Sequence, residues 1–152
     1  FIGILIENSA GIPLDGKRVL DLFAGTGALG LEALSRGAAR VAFVDDGAAA
    51  RALLRVNVEK ARAMGVTDIW RRDATDLGPN RGPGYDVVFL DPPYGQRLGE
   101  AALASALAGD WLAPGALVAW EEDTAPVPPP GLTRIDQRRY GSTLVTLLRA
   151  AG

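Results

Sequence analysis

Short apolar runs alternate along this chain with helical patterns, and no other feature of it restricts the fold as strongly. Parallel strands need a crossover between them, so such alternation is the mark of a parallel sheet with helices on both faces. The first run is Val19-Leu20-Asp21-Leu22-Phe23, followed by a glycine-rich turn and a helix expected from Ala28 to Ser35, closed by Gly37. The second is Val41 to Asp45, followed by an alanine- and arginine-rich helix expected from Ala48 to Met64 and ended by Gly65. Strands are then expected at Thr67 to Arg72 and Asp86 to Leu90, a helix at Leu98 to Leu112, and a fifth strand at Ala116 to Trp120. Beyond it Pro126 and Pro128-Pro129-Pro130 forbid a helix, so that crossover reads as an extended loop. Two last strands, Thr133 to Arg139 and Thr143 to Leu148, are joined by Tyr140-Gly141-Ser142 as a hairpin. Phe1 to Ala10 reads as the remnant of a helix packing ahead of the sheet. With no internal repeat, one α/β domain over residues 1–152 is expected.

Composition narrows the chemistry. The chain has neither cysteine nor histidine, which excludes disulfides, cysteine metal sites and the usual general base. Catalysis would rest on carboxylates, backbone groups and a bound cofactor, with no metal. Without a visible signal peptide or long apolar span, the expectation is a cytoplasmic monomer with no membrane partner. Phe1 stands where Met is usual, so a fragment is expected. A net charge of −2 is not that of a typical nucleic-acid binder, yet Arg71-Arg72, Arg134 and Arg138-Arg139 cluster. Charge therefore neither supports nor excludes an RNA substrate.

Asp91-Pro92-Pro93-Tyr94 directly follows the buried-strand run Val87 to Leu90. Each proline lacks an N–H and fixes φ, so the strand must stop there. The stiff segment holds an acid, proline carbonyls and an aromatic ring at the strand's carboxyl end, a pocket for a nucleobase or another flat amine. Gly25-Thr26-Gly27-Ala28-Leu29-Gly30 is a G-x-G-x-x-G sequence between a strand and a helix. Its glycines let a ligand approach the backbone closely, which suits a dinucleotide or a methyl donor. Asp45, ending the second strand, can accept both ribose hydroxyls of an adenosine at about 1.5–3 kcal/mol per charged hydrogen bond; the alternative is an N-cap. Asp46 could share either role. Asp73, ending the third strand, is placed to accept from an adenine amine or, again, to cap. Ligands of doubly wound sheets bind at strand carboxyl ends, where the strand order reverses. If the first and fourth strands are neighbours, the glycine turn and the Asp91 loop face one another there.

Together, Val19 to Gly37 and Asp91-Pro92-Pro93-Tyr94 resemble S-adenosylmethionine-dependent methyltransferases. More narrowly, they are similar to the RsmD-like family, which methylates the N2 amine of a guanine in small-subunit (16S) ribosomal RNA. Tyr140-Gly141-Ser142-Thr143 shares that likeness, which spans nearly all of Lys17 to Arg149. The resemblance implies a Rossmann-like class I methyltransferase sheet of order 3-2-1-4-5-7-6 with the seventh strand antiparallel. It implies that Asp21 through Gly27 (Asp21, Phe23, Ala24, Gly25, Thr26 and Gly27 among them) hold the methionine part of S-adenosyl-L-methionine. Asp45 would take the ribose, and Asp73 with Ala74 the adenine. Asp91, Pro92 and Tyr94, with Pro93 between them, would hold the target base. The implied partner is ribosomal RNA, within the small subunit or an assembly intermediate. Two departures stand out. Gly47 occupies the place of a second acid, with Asp46 adjacent instead, and nothing before Lys17 looks like the family's basic RNA-engaging segment.

The expected reaction is in-line methyl transfer to an exocyclic amine held by Asp91 and the Pro92 carbonyl. The same fold could instead serve adenine N6 in DNA or a glutamine amide. A different class is an inactive RNA-binding module, which the intact glycine turn and Asp-Pro-Pro-Tyr segment oppose. An NAD-dependent dehydrogenase is opposed by the absence of histidine for proton transfer.

Overall fold

The computed structural model describes Gly11 and residues 13–152. The helix expected at Phe1 to Ala10 falls outside them. In chain order the elements are β1 (Arg18–Leu22), α1 (Ala28–Ser35), β2 (Arg40–Val44), α2 (Ala48–Lys60), β3 (Thr67–Trp70), β4 (Tyr85–Leu90), α3 (Leu98–Ala108), β5 (Leu112–Glu122), β6 (Leu132–Tyr140) and β7 (Thr143–Ala150). The strands form one seven-stranded sheet ordered β3-β2-β1-β4-β5-β7-β6. β1 pairs in parallel with β2 on one side and β4 on the other, so the strand order reverses between β1 and β4. β7 runs antiparallel to both β5 and β6.

Both faces of the sheet are covered, which is why its central strands are apolar on both sides. Val19, Val41, Phe43, Val87 and Phe89 pack with Ala33 of α1 and Leu54 and Val58 of α2. Leu20, Leu22, Val44, Val88 and Leu90 pack on the other face with Ala102, Leu103 and Ala106 of α3. Each large side chain so buried contributes about 1.5–3 kcal/mol. α1 lies close because Gly30 has no side chain: a Cβ there would stand 2.8 Å from Val41 Cγ1 and 2.9 Å from Phe43 Cζ.

Helix ends depart from the sequence pattern. α2 stops at Lys60 rather than Met64, because Arg62 turns to φ 55° and a single 3-10 turn spans Met64–Val66. The Ala63 N–H bonds back to the Val58 carbonyl at 3.0 Å, closing the helix over a buried Ala63. α3 ends at Ala108 rather than Leu112. Asp110 takes φ 63°, and fully buried Trp111 anchors the chain as it enters β5, its indole N–H bonded to the Gly78 carbonyl at 2.7 Å. β5 in turn runs two residues past Trp120, to Glu122. β3 is shorter than expected, ending at Trp70, because Arg72 folds over the rings of Trp70 and Trp111. The proline-rich segment between β5 and β6 contains no helix.

Gly30→Ala tests the close approach of α1. Overpacking against Val41 and Phe43 is expected to cost about 1–3 kcal/mol of unfolding free energy, read from urea denaturation. Wild-type stability in that variant would show that the helix is not pinned there.

Candidate active site

The glycine turn is built around a buried carboxylate. α1 is preceded by Gly27 at the N-cap position, which has φ 82° and no side chain to cap the helix. The first-turn N–H of Gly30 is instead taken by Asp21 Oδ2 from β1, at 3.1 Å. Asp21 is only 2% exposed. Burial, followed by the charges of Asp91 and Asp45, pushes its carboxyl up to about 8 despite the lowering effect of the Gly30 N–H. Between Asp21 and α1 the backbone is left-handed at Phe23 (φ 58°), a conformation an aromatic residue seldom adopts. Such strain costs of order 1–3 kcal/mol and accumulates at working sites. From α2, Asn57 donates to the Thr26 carbonyl at 2.9 Å and braces the turn.

Asp45 leaves the end of β2 and joins two loops. Its Oδ2 accepts from the Gly25 N–H at 3.0 Å and its Oδ1 from the Gly47 N–H at 2.8 Å. Buried Arg51 donates to the Asp45 carbonyl at 3.2 Å, fixing the strand end from α2. A cavity of about 270 Å³ opens beside it, lined by Phe23, Asp45, Asp46, Asp73, Ala74 and Leu98 among others. Asp73 sits in a tight turn of its own, accepting from Thr75 through Oγ1 at 2.7 Å and through the backbone N–H at 2.9 Å. Those bonds hold its carboxyl below the usual carboxylate range.

The second cavity, about 540 Å³, is lined by Asp91, Pro92, Pro93 and Tyr94 together with Phe23, Asp45 and Asp46. It shares Phe23, Asp45, Asp46 and Pro93 with the first, so the two are compartments of one cleft. The cleft lies at the carboxyl ends of β1, β2, β3 and β4, across the point where the strand order reverses. Tyr94 is 42% exposed and Pro92 is buried. Although Asp91 as a whole is exposed, loss of water around its carboxyl raises its pKa, and a hydrogen bond with Glu121 partly offsets that rise. Burial, then the charge and hydrogen bond of Asp91, push Glu121 up to about 7.

The structure thus brings together Phe23, Asp45, Asp46, Asp73, Ala74 and the whole Asp91–Tyr94 segment around one cleft. Asp21, Ala24, Gly25, Thr26 and Gly27 do not line the two cavities; Asp21 supports the turn from beneath, and Gly25 is tied to Asp45. Val44, Arg72, Thr75 and Leu98 in the first cavity, and Glu121 beside Asp91, were not read from the sequence as site residues. Arg72 and Leu98 line the first cavity through the folding of loops, which no local pattern encodes. Glu121 did carry a signal: it follows the apolar run of the fifth strand as Asp91 follows that of the fourth.

The sheet order and the position of the cleft define a class I methyltransferase fold. Residues 5–149 match the family described as conserved hypothetical protein 95, and the chain belongs to that family, the RsmD-like methyltransferases. It is 34% identical over 127 residues to ribosomal RNA small subunit methyltransferase D of Haemophilus influenzae, which covers 80% of this chain and 66% of that protein. The protein of the same name from Escherichia coli is 36% identical over 104 residues, or 68% of this chain and 52% of that protein. The chain therefore spans about half to two thirds of the length of these curated relatives. Among solved structures, Haemophilus influenzae HI0767 superimposes with a TM-score of 0.85 at 28% identity, covering 98% of this chain and 95% of that one. TrmN from Thermus thermophilus gives 0.73 at 28% identity, over 90% of this chain and 44% of that one.

Asp21 yields a pH prediction. A carboxyl raised in the folded state contributes stability that is fully present below its unfolded pKa, near 3.8, and is lost as pH rises through about 8. Asp21→Asn, which still offers an oxygen to Gly30, should therefore gain stability relative to wild type as pH rises from 4 to 8. Chemical denaturation at several pH values checks this; a constant difference between the two proteins would contradict it.

Proposed function

We propose that this chain is a methyltransferase domain that moves a methyl group from S-adenosyl-L-methionine to the exocyclic N2 amine of a guanine in small-subunit ribosomal RNA. The observation that carries the reading is the shared wall of the cleft. One compartment offers the carboxylates of an adenosine site, the other offers the acceptors and ring of an amine site, and Phe23 and Pro93 border both. The names of the two curated relatives support ribosomal RNA as the substrate.

The residues present suit the donor. Asp45 and Asp46, lining the first cavity, are read as the ribose acceptors and Asp73 with Ala74 as the adenine contacts. The turn at Gly25, where an added Cβ would meet only the Phe23 carbonyl oxygen at 4.0 Å, is assigned the methionine portion. When bound, S-adenosyl-L-methionine supplies an electrophilic methyl group on a sulfonium that departs as a neutral thioether. Everything else falls to the protein. An arylamine lone pair is delocalised into its ring and attacks weakly. Hydrogen bonds from the amine to Asp91 and to the Pro92 carbonyl would favour a pyramidal nitrogen and aim its lone pair. Positioning of this kind supplies roughly 7–11 kcal/mol. Positive charge developing on nitrogen would face the Asp91 carboxylate, a preorganised electrostatic contribution. The target base must leave its stack, and the exposed Tyr94 ring offers it a new one.

Asp91→Ala separates the two compartments. Labelled methyl transfer onto undermodified small-subunit particles should fall roughly a hundredfold or more. Affinity for S-adenosylhomocysteine, measured by calorimetry, should stay within about twofold of wild type. Loss of both together would make Asp91 a structural residue.

A further inference from the structure

We propose that Glu121 is a positioning residue for methyl transfer, holding one oxygen of Asp91 by a hydrogen bond across the ends of β4 and β5 so that the other oxygen faces the target amine. The inference rests on the reading of Asp91 given above and adds a residue to it. Leu90 pairs with Trp120 in the parallel ladder, so Asp91 and Glu121 leave adjacent strands abreast of one another. Their carboxyl groups come close enough to share a hydrogen bond when one of them carries a proton. On the other side of β5 the residue opposite Glu121 is Val145, which is 1% exposed and offers no polar group. Among the described residues, Asp91 is the side-chain partner that meets Glu121.

Two carboxyl groups that share a hydrogen bond need one proton between them, since both cannot ionise without strong repulsion. Burial and the neighbouring Asp91 charge hold that proton on Glu121. The other titratable groups near the pair are acidic: Glu122 on the same strand, which feels Asp91, Glu100 and Asp123, and Asp21 on β1, which feels Asp91 and Asp45. The cation in this row of the sheet, Arg138 on β6, lies beyond Val145 and is bound to Asp136 at 3.2 Å. Glu121 is the group whose pKa rises to about 7, so at and below neutrality it is the donor and Asp91 the ionised acceptor. A carboxylate held at one oxygen loses its rotational freedom and presents the other in a fixed direction. As pH rises through about 7 the Glu121 proton is lost, the bond becomes a repulsion, and Asp91 is released.

The test is the pH profile of kcat and KM for labelled methyl transfer between pH 6 and 9, for wild type, Glu121→Gln and Glu121→Leu. Wild-type kcat should decline as pH rises above 7. Glu121→Gln, whose amide remains a donor at every pH, should keep near-wild-type kcat at pH 6.5 and lose the alkaline decline. Glu121→Leu should lose about tenfold or more in kcat at pH 6.5, with S-adenosylhomocysteine affinity and thermal midpoint close to wild type. An unchanged profile in Glu121→Gln, or wild-type kcat in Glu121→Leu, would overturn the proposal. Carboxyl-detected NMR titration gives a readout independent of turnover: one glutamate should titrate near pH 7 and move downward in Asp91→Asn. A Glu121 that titrates in the ordinary range overturns the pair whether or not RNA is methylated. A pair that titrates as expected in a protein that methylates no small-subunit particle overturns the assigned reaction, and the positioning role with it.

Discussion

The hydrogen bond from the Gly30 N–H to buried Asp21 is the contact on which the cleft depends. A helix that opens on glycine has no side chain to satisfy its first-turn amides. Here the cap comes from the preceding strand instead, so α1 is tied to the sheet by the same residue that precedes the glycine turn. The tie places Gly30 against Val41 and Phe43 and forces the intervening backbone through left-handed conformations at Phe23, Gly25 and Gly27. Asp45 then completes the arrangement by accepting the Gly25 N–H. Turn, helix and second strand are joined by these bonds, and both compartments of the cleft are built on them.

The strand-order reversal gives that unit its function. β1 lies between β2 and β4, so what leaves β1 to one side faces what leaves β4 on the other. Asp45 and Asp73 close the first compartment; Asp91 to Tyr94 close the second. The charges of Asp45 and Asp91 both act on buried Asp21, and acidic groups around the cleft suit a cationic donor and a nitrogen that becomes positive.

Much of this was legible in the residues, for identifiable reasons. Central strands buried on both faces are continuous apolar runs, so β1, β2 and β4 appear within a residue of their observed limits. The bounds of α1 are those expected, because glycine marks both of its ends. The end of α2 was obscured by composition, and that of α3 lies earlier than expected, with Gly109 following it. Ala61-Arg62-Ala63-Met64 has good helix propensity, yet burial of Ala63 and the positive φ of Arg62 turn the chain, while α3 stops before Gly109, after which Asp110 takes a positive φ and Trp111 is buried. In the cleft, Asp45 and Asp91 were legible because each directly follows a strand, whereas Asp73 lies beyond the end of β3 at Trp70, in a turn with Thr75. Glu121 could not be joined to Asp91 without the β4–β5 register. Arg72 lines the cavity only because the loop after β3 folds back onto two tryptophans, an outcome of packing rather than pattern.

The central claim is that the cleft is made for a methyl donor rather than for a dinucleotide, and a calorimetric titration tests it most directly. S-adenosylhomocysteine should bind this chain at one site while NAD gives no heat of binding under the same conditions. Binding of NAD with none of the homocysteine compound would contradict the account.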